Sequence, residues 1–327
     1  MSESTMAEIL NLRASGTNAI QFELKNVPVS FANALRRIML SSIHTVVLRD
    51  VQILENTSQL PYEMLRHRVE MLPVNVRPSE TRIIAETKVE IRVPPMDEHT
   101  QTVTTKHFTF SGDRKDILMK DDAGNDLLFI YLNPGESIHV IARLGVDQTD
   151  SSQVSTVSYG FHVDDELARE DKDEYLSEVP DPEKPLKGKE FDNFHVQRSF
   201  ARDDAGQAFW YDFLIETWGV NSPKEILRQA IALLKLKLYE WHKAPIIREG
   251  TLAVVESKGE THTIGALVQR VLLDRGKTTR AFYDVPHPLV ALMVVKFETT
   301  ESPESVLADT IATITRWCDT LDAQLSR

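Results

Sequence analysis

The sequence predicts an α+β protein in which one small α/β unit occurs twice, with a mostly β domain inserted into the first copy. Two phrases recur in the same order: residues 30–40 return at 263–273, and residues 215–227 return at 297–307. The two predicted helices of the first copy start at residues 30 and 222, which are far apart in the sequence. Those of the second copy start at residues 263 and 302, which are much closer together. A solenoid would space its repeats evenly, so the unequal spacing indicates an insertion.

The first phrase predicts a strand followed by an amphipathic helix. Phe22 and Leu24 alternate with polar residues, as in a half-buried strand. Ser30 and Thr263 are expected N-caps, since their hydroxyls could accept hydrogen bonds from free backbone amides. Apolar residues then follow at helical spacing. They are Phe31, Leu35, Ile38 and Met39 in the first copy and Ile264, Leu267, Val268, Val271 and Leu272 in the second.

The second phrase predicts a strand and then a helix with a strong start. Ser222 is the expected N-cap, Pro223 suits the first helical position, and Glu225 completes a capping box; Ser302-Pro303 repeats this start. Both helices carry an apolar stripe. A two-strand, two-helix unit is too small to bury its own stripes, so the two copies should pack together as a pseudo-two-fold pair. The helices expected to pack are 30–42, 223–242, 263–273 and 303–325. The core residues expected between the copies are Phe31, Leu35, Ile38, Ile226, Ile264, Leu267, Leu272 and Ile314.

These patterns predict three domains. Residues 1–44 and 206–242 would form the first dimerisation-type unit, 45–205 the insert, and 243–327 the second unit. The insert contains strand-like stretches near 46–53, 83–93, 107–111, 127–132, 137–144 and 154–163, and one short helix at 61–69. Residues 164–183 hold ten acidic residues against one Arg and one Lys, with prolines nearby. This acidic segment is expected to be a flexible surface loop.

Composition and the lack of certain motifs exclude several classes of function. The net charge of −12 disfavours non-specific binding to nucleic acid, which needs concentrated Lys and Arg. The single cysteine, Cys318, excludes internal disulfides and cysteine-based zinc or iron–sulfur sites. We therefore expect a metal-free protein without a cofactor. The sequence contains neither an apolar run long enough for a membrane span nor an N-terminal signal pattern, which predicts an intracellular protein. It also lacks a phosphate-binding glycine loop and a nucleophile–base motif.

Five motifs in order resemble the assembly subunits of multisubunit RNA polymerases. Asn33-Ala34-Leu35-Arg36-Arg37 is similar to the centre of the dimerisation helix of bacterial α, of the archaeal D-type subunit and of the third subunit of eukaryotic polymerase II. Residues 60–74 resemble the second signature of that family, and 132–136 and 213–238 continue the likeness. Residues 252–321, with His262-Thr263-Ile264-Gly265, are similar to the small partner, which is the archaeal L-type subunit or the eleventh subunit of polymerase II. The joining of the two partners in one chain resembles large DNA viruses with their own transcription machinery.

The resemblance implies a non-catalytic scaffold that docks the largest and second-largest polymerase subunits. It would also contact small accessory subunits, without direct contact with the template or a membrane. The implied docking residues are Arg36, Arg37, Arg66, His67, Arg68 and Arg270. Arg36 and Arg37 point in different directions, so one could pack against the chain while the other meets the partner. Residues 66–68 could equally be the polar face of an amphipathic helix. A viral protein would lie in the host cytoplasm and the virion. The alternative function is a free-standing enzyme with an unrecognised pocket in the insert.

Overall fold

The computed structural model describes residues 6–112, 114–121, 123–147, 155–217, 220–287, 289–290 and 292–326. These residues form two compact units. The first unit contains the described residues of Met1–Met39, Thr156–Glu216 and Pro223–Arg327, and the second those of Leu40–Ser155 and Thr217–Ser222.

The secondary structure is as follows. The strands are β1 (Glu8–Ala14), β2 (Ala19–Lys25), β3 (Thr45–Asn56), β4 (Lys88–Val93), β5 (Gln101–Thr104), β6 (Phe108–Phe110), β7 (Leu128–Leu132), β8 (Ile138–Asp147), β9 (Ser155–Phe161), β10 (Trp210–Thr217), β11 (Ile246–Glu249), β12 (Leu252–Lys258), β13 (Arg280–Asp284) and β14 (Leu292–Glu298). The α-helices are α1 (Val29–Ser41), α2 (Tyr62–Glu70), α3 (Thr81–Glu86), α4 (Asp165–Ser177), α5 (Lys184–Glu190), α6 (Pro223–His242), α7 (His262–Asp274) and α8 (Pro303–Leu325).

The predicted repeat is confirmed by the order of strands in the first unit. One sheet has the order β1-β2-β10-β9 and the other β11-β12-β14-β13. Helices α1 and α7 follow β2 and β12, which are the second strands of their sheets. The longer helices α6 and α8 follow β10 and β14, which are third in the order of each sheet. The α+β class and the four predicted helices are therefore correct, with ends within about two residues of those expected.

The limits of the insert differ from those predicted. The sequence predicted that residues 154–163 form a strand of the insert. In the structure this strand, β9, is instead the edge strand of the first copy's own sheet, and it is equivalent to β13 in the second copy. Residues 156–216 accordingly group with the first unit. The first copy thus contains two additions, one between α1 and β9 and a second between β9 and β10. A strand's sheet cannot be predicted from its own alternation, because pairing depends on residues distant in sequence.

The acidic segment is a helix rather than the expected loop. The Asp164 side chain caps α4 by accepting hydrogen bonds from the backbone amides of Glu166 (3.0 Å) and Leu167 (3.2 Å). Asp165 and Glu166 lie in the first turn, where negative charge suits the helix dipole. Lys172 forms an ion pair with Asp192 (2.7 Å). Capping and packing therefore order a segment whose composition alone suggested disorder.

Two expected N-caps are also corrected. Helix α1 begins one residue before Ser30, with the Phe31 amide bonded to the Pro28 carbonyl at 3.0 Å. The Ser30 hydroxyl is buried, with no hydrogen-bond partner among the described residues. Thr263 lies inside α7, whose N-cap is Thr261. The start of each helix is set by the preceding backbone, so the hydroxyl residue falls in the first turn.

The second unit is the mostly β insert. Its larger sheet has the order β3-β8-β4-β6, and β5 pairs with β7. Helix α2 agrees with the predicted helix at 61–69, whereas the predicted strand 83–93 is a helix (α3) followed by the strand β4. The apolar faces enclose one core of buried residues that includes Leu48, Ile91 and Val140.

The core of the first unit is shared by both copies. All eight residues expected there are at most 1% exposed. Phe31 of the first copy packs edge-on against Trp317 of the second, with ring centroids 5.4 Å apart and an interplanar angle of 76°. The Gln324 amide bridges to the first copy's edge strand, accepting from the Ile9 amide (2.7 Å) and donating to the Ala7 carbonyl (3.1 Å). Burial of such side chains contributes about 1.5–3 kcal/mol each, which favours one fused core over two separate ones.

Helix α7 approaches its sheet closely at Gly265. A Cβ there would lie 2.5 Å from Tyr283 Cδ2 and 2.9 Å from Met293 Sδ. Both distances are well inside van der Waals contact. The lack of a side chain at Gly265 therefore sets how closely the second copy's helix packs on β13 and β14.

Candidate protein-docking face

Helix α2 presents an exposed face of mixed apolar and basic character. Leu65 and Val69 are buried and anchor the helix to the core of the second unit. Five other residues of the helix are exposed: Tyr62, Met64, Arg66, His67 and Arg68. The side chains of Tyr62 and Met64 are 54% and 56% exposed. Tyrosine, methionine and arginine are the residue types enriched in protein–protein interfaces. We call these five residues the α2 face.

The predicted trio of residues 66–68 is therefore exposed to solvent on one short helix, although its three side chains point in different directions. Two exposed apolar members of this helix were missed. Met64 could have been found from the sequence, because helical periodicity places it about 100° away from the buried Leu65. Tyr62 could not, because it lies three residues before Leu65 and is nevertheless exposed in the first turn of the helix. Glu70, at the end of α2, pairs with Arg66 (3.3 Å) and lies 3.9 Å from Arg49. Arg49 in turn pairs with Asp147. Arg66 therefore lies along the helix surface, next to Glu70.

In the first unit, Arg36 and Arg37 have different environments, as their adjacent positions on a helix require. The guanidinium of Arg36 donates twice to the side-chain oxygen of Asn33, at 3.1 and 3.0 Å. Burial raises the pKa of Tyr159, an effect that the positive charge of Arg36 opposes. Arg36 thus lies beside the first copy's edge strand β9.

Arg37 joins the two copies. Its Nε donates to the hydroxyl of Thr263 in α7, at 2.8 Å. This bond places α1 beside α7, as the pseudo-two-fold arrangement requires. Arg37 is therefore an internal contact, although its side chain is partly accessible to solvent.

Arg270 is the repeat equivalent of Arg37 but forms a different bond. It pairs with Asp274 one turn along α7, at 2.9 Å. Burial, followed by the charge of Tyr159, raises the pKa of Tyr211 in β10, and the positive charge of Arg270 acts in the opposite direction. Arg270 therefore lies near the first copy's sheet. The symmetric bond from Arg270 to Ser30 is not made in the structure, so the pseudo-two-fold is broken at this pair.

The insert contains a cavity of about 660 Å³ beside β5 and β6. Phe108, Phe110 and Leu118 are among its apolar lining residues. Lys115 at its rim donates to the backbone carbonyls of Phe110 and Gly112, each at 3.0 Å, and Lys120 lies 3.6 Å from Asp126. Both amino groups are thus engaged with neighbouring atoms. The described lining offers hydrophobic contact rather than an activated nucleophile.

Two further features of the chain concern Cys318 and the length of the helices. Burial raises the pKa of the Cys318 thiol to about 12, so this residue is an unreactive apolar side chain. Among the described residues, every helix is too short or too polar to cross a membrane.

Two family matches cover both copies of the repeat. The RNA polymerase Rpb3/Rpb11 dimerisation domain matches residues 21–238, and a second model of the same description matches residues 253–324. The first match alone spans more than half of the chain. The chain belongs to this family. The longer match contains the insert together with the first copy, and the shorter match is the second copy.

Several curated relatives are similar to parts of this family member. The chain is 27% identical over 176 residues to "DNA-directed RNA polymerases I and III subunit rpac1" of Dictyostelium discoideum, covering 46% of this chain and 51% of that protein. It is 34% identical over 102 residues to "DNA-directed RNA polymerase subunit Rpo3" of Pyrococcus furiosus, covering 30% and 36%. It is 46% identical over 57 residues to Rpo3 of Methanocaldococcus jannaschii, covering 17% and 29%. These alignments span about half or less of each relative.

Proposed function

We propose that this chain is a non-catalytic assembly subunit of a DNA-directed RNA polymerase. The observation that carries the proposal is that two copies of an Rpb3/Rpb11 dimerisation fold lie in one chain and share one core. Several relatives of the chain are named as polymerase subunits. A single chain would then take the structural role that two separate subunits have as a pair.

The partners that fit this role are the largest and second-largest subunits of the polymerase. A symmetric dimer offers two equal surfaces, whereas the two copies here differ. The first copy carries additions on either side of β9, and the second connects the equivalent elements by short links. Two unequal surfaces can bind two dissimilar partners without competition, which supports one large subunit on each copy.

We assign the second-largest subunit to the α2 face and to Arg36, and the largest subunit to the side of Arg270. The exposed tyrosine, methionine and arginine of the α2 face are suited to a partner with apolar pockets and acidic groups. Arg37 is reassigned from the partner interface to the contact between the copies, because its guanidinium is bonded to Thr263. Small accessory subunits would occupy the remaining surface.

The α2 face can be tested by charge reversal. The tagged variant Arg66→Glu/Arg68→Glu is co-expressed with both large subunits and captured. Both side chains are exposed, so the fold should be retained, and an exposed ion pair such as Arg66–Glu70 contributes only about 0–1 kcal/mol. We expect recovery of the second-largest subunit to fall at least about tenfold, which is a loss of about 1.4 kcal/mol of binding free energy.

Arg82→Glu is a matched control in the same unit. Arg82 pairs with Glu86 at 3.1 Å, with the same four-residue spacing as Arg66 and Glu70. This variant should recover both large subunits at the level of the unchanged chain. Equal recovery by the double variant would remove the α2 face from the interface.

The remaining expectations stay predictions. They are the viral origin, location in the host cytoplasm and virion, and the absence of template contact. The enzyme alternative would place a substrate in the insert cavity. The engaged lysines at its rim give that alternative no support, and co-purification separates the two: a scaffold is isolated with two very large chains, whereas an enzyme is active alone.

A further inference from the structure

Three side chains capable of binding a cation meet on the outer face of the first copy's sheet. Glu23 is on β2, Asp212 on β10, and His162 directly follows β9. One donor atom from each lies within 4.8 Å of the other two. The Nδ1 atom of His162 is 2.7 Å from a carboxylate oxygen of Asp212. The residues are far apart in sequence, and only the pairing of β2, β10 and β9 brings them together.

The sheet register places two negative charges opposite each other. Glu23 and Asp212 are directly paired residues of antiparallel neighbours. Like charges directly opposite on one face destabilise a sheet, and a bound cation would remove that repulsion. Two positive groups lie at the margin. Lys25 stacks 3.8 Å from the Trp210 ring centroid, and Arg13 bonds to Gln21 at 3.2 Å.

Neutral groups orient the side chains of Glu23 and His162. Asn11 and the Trp210 indole donate to the two oxygens of Glu23, at 2.7 and 3.1 Å. Asn11 has a left-handed φ of 50° within an irregularity of β1, a device that re-aims a side chain. His162 stacks on Trp210, with centroids 3.9 Å apart at 17°, and its backbone amide binds the Trp210 carbonyl at 3.0 Å. Such outer contacts fix ligand orientation in metal sites.

The donor set selects the kind of cation. One imidazole and two carboxylates form a mixed nitrogen–oxygen set, which suits zinc and neighbouring divalent transition metals; magnesium and calcium prefer oxygen alone. Tetrahedral zinc holds its ligands at about 2.0–2.2 Å. Donors already within 4.8 Å of one another need only small side-chain rotations to reach that geometry. The adjoining groove, of about 630 Å³, gives a hydrated ion access.

We propose that Glu23, His162 and Asp212 bind one divalent transition-metal ion of the zinc type. The ion would tie the residue that follows β9 to β2 and β10, and so fix the end of β9, where the second addition begins. The proposal departs from the sequence expectation of a metal-free protein, which rested on the absence of cysteines from the insert.

Zinc titration of the full chain tests the proposal. Protein dialysed against a chelator is titrated with zinc chloride in a calorimeter. We expect one zinc ion per chain, with a dissociation constant on the order of micromolar, and at least about a tenfold loss of affinity in His162→Gln, Asp212→Asn and Glu23→Gln. Glu23→Gln keeps an acceptor for Trp210, so it retains the fold even if a change at His162 does not. Cobalt(II) should quench tryptophan fluorescence, because His162 stacks on the Trp210 ring.

His139→Gln is the matched control. His139 lies 2.7 Å from Glu90 in the second unit, the same separation as in the His162–Asp212 pair. It belongs to no described group of three donors. Unchanged zinc affinity in this variant, together with loss in the others, supports the site. Absence of saturable binding at millimolar zinc overturns the proposal, and so does equal binding by the folded Glu23→Gln and Asp212→Asn variants.

Discussion

The contact between Phe31 and Trp317 tests whether the two copies share one core. Phe31 is fully buried in α1, and its ring packs against a residue of the second copy, 286 positions further along the chain by their numbers, at a centroid distance of 5.4 Å. Truncation of a buried phenylalanine to alanine costs about 3–5 kcal/mol. An edge-to-face ring pair contributes about 0.5–1.5 kcal/mol of this beyond the buried area. We therefore expect Phe31→Ala to lower the free energy of unfolding of the first unit by about 3–5 kcal/mol.

A double-mutant cycle isolates the contact between the copies. Phe31→Leu, Trp317→Leu and the double variant are unfolded in urea, and unfolding is followed by far-ultraviolet circular dichroism. We expect a coupling free energy of about 0.5–1.5 kcal/mol. The Phe108–Phe129 pair, with centroids 5.1 Å apart at 82°, is a matched control in the second unit. Normal coupling in this control but additive effects for Phe31 and Trp317 would refute the shared core.

Two further predictions concern the stability of the second copy. Gly265→Ala should lower the free energy of unfolding in urea by about 1–2 kcal/mol net, because the clash with Tyr283 costs more than the roughly 1 kcal/mol that alanine gains in a helix. In the control Gly188→Ala the nearest atom to the new Cβ is 3.6 Å away, so this variant should be more stable than the unchanged chain. Burial by itself would raise the pKa of Asp309, but the hydrogen bonds and charges of Arg275 (3.0 and 3.1 Å) and Lys277 (3.4 Å) together outweigh burial, so the pKa lies below its ordinary value of 3.8. The stability lost in Asp309→Asn should therefore be about 1 kcal/mol and constant above about pH 5, and should shrink as the pH falls below about 4; a loss of equal size at about pH 3 and pH 7 would contradict this assignment.

Much of the first unit could be predicted because its signals are local. The apolar stripes of the four long helices depend only on spacing of three and four residues, and they predicted both the helices and the buried faces. Leu35 and Val268 occupy the same place in their copies, and both are at most 1% exposed. The repeat itself supplied the topology, because two similar phrases in one chain imply two similar folds.

The features that were missed depend on pairing between distant residues. β9 belongs to the first sheet through partners some fifty residues away, and the second copy offered no similar phrase to reveal it. The bond from Arg37 to Thr263 needs the packed position of two helices. The cluster of three possible cation ligands could not be predicted, because only the pairing of β2, β10 and β9 brings together Glu23, His162 and Asp212. Helix α4 was missed because acidic composition outweighed the local signal of the Asp164 cap.

The stoichiometry of a reconstituted complex tests the proposed scaffold role most directly. The chain is co-expressed with the two largest polymerase subunits of its source, and the purified assembly is weighed by native mass spectrometry. If one chain does the work of a subunit pair, the mass will correspond to one copy of this chain with one copy of each large subunit. Recovery of the folded chain alone, or of a complex containing two copies of it, would contradict that role.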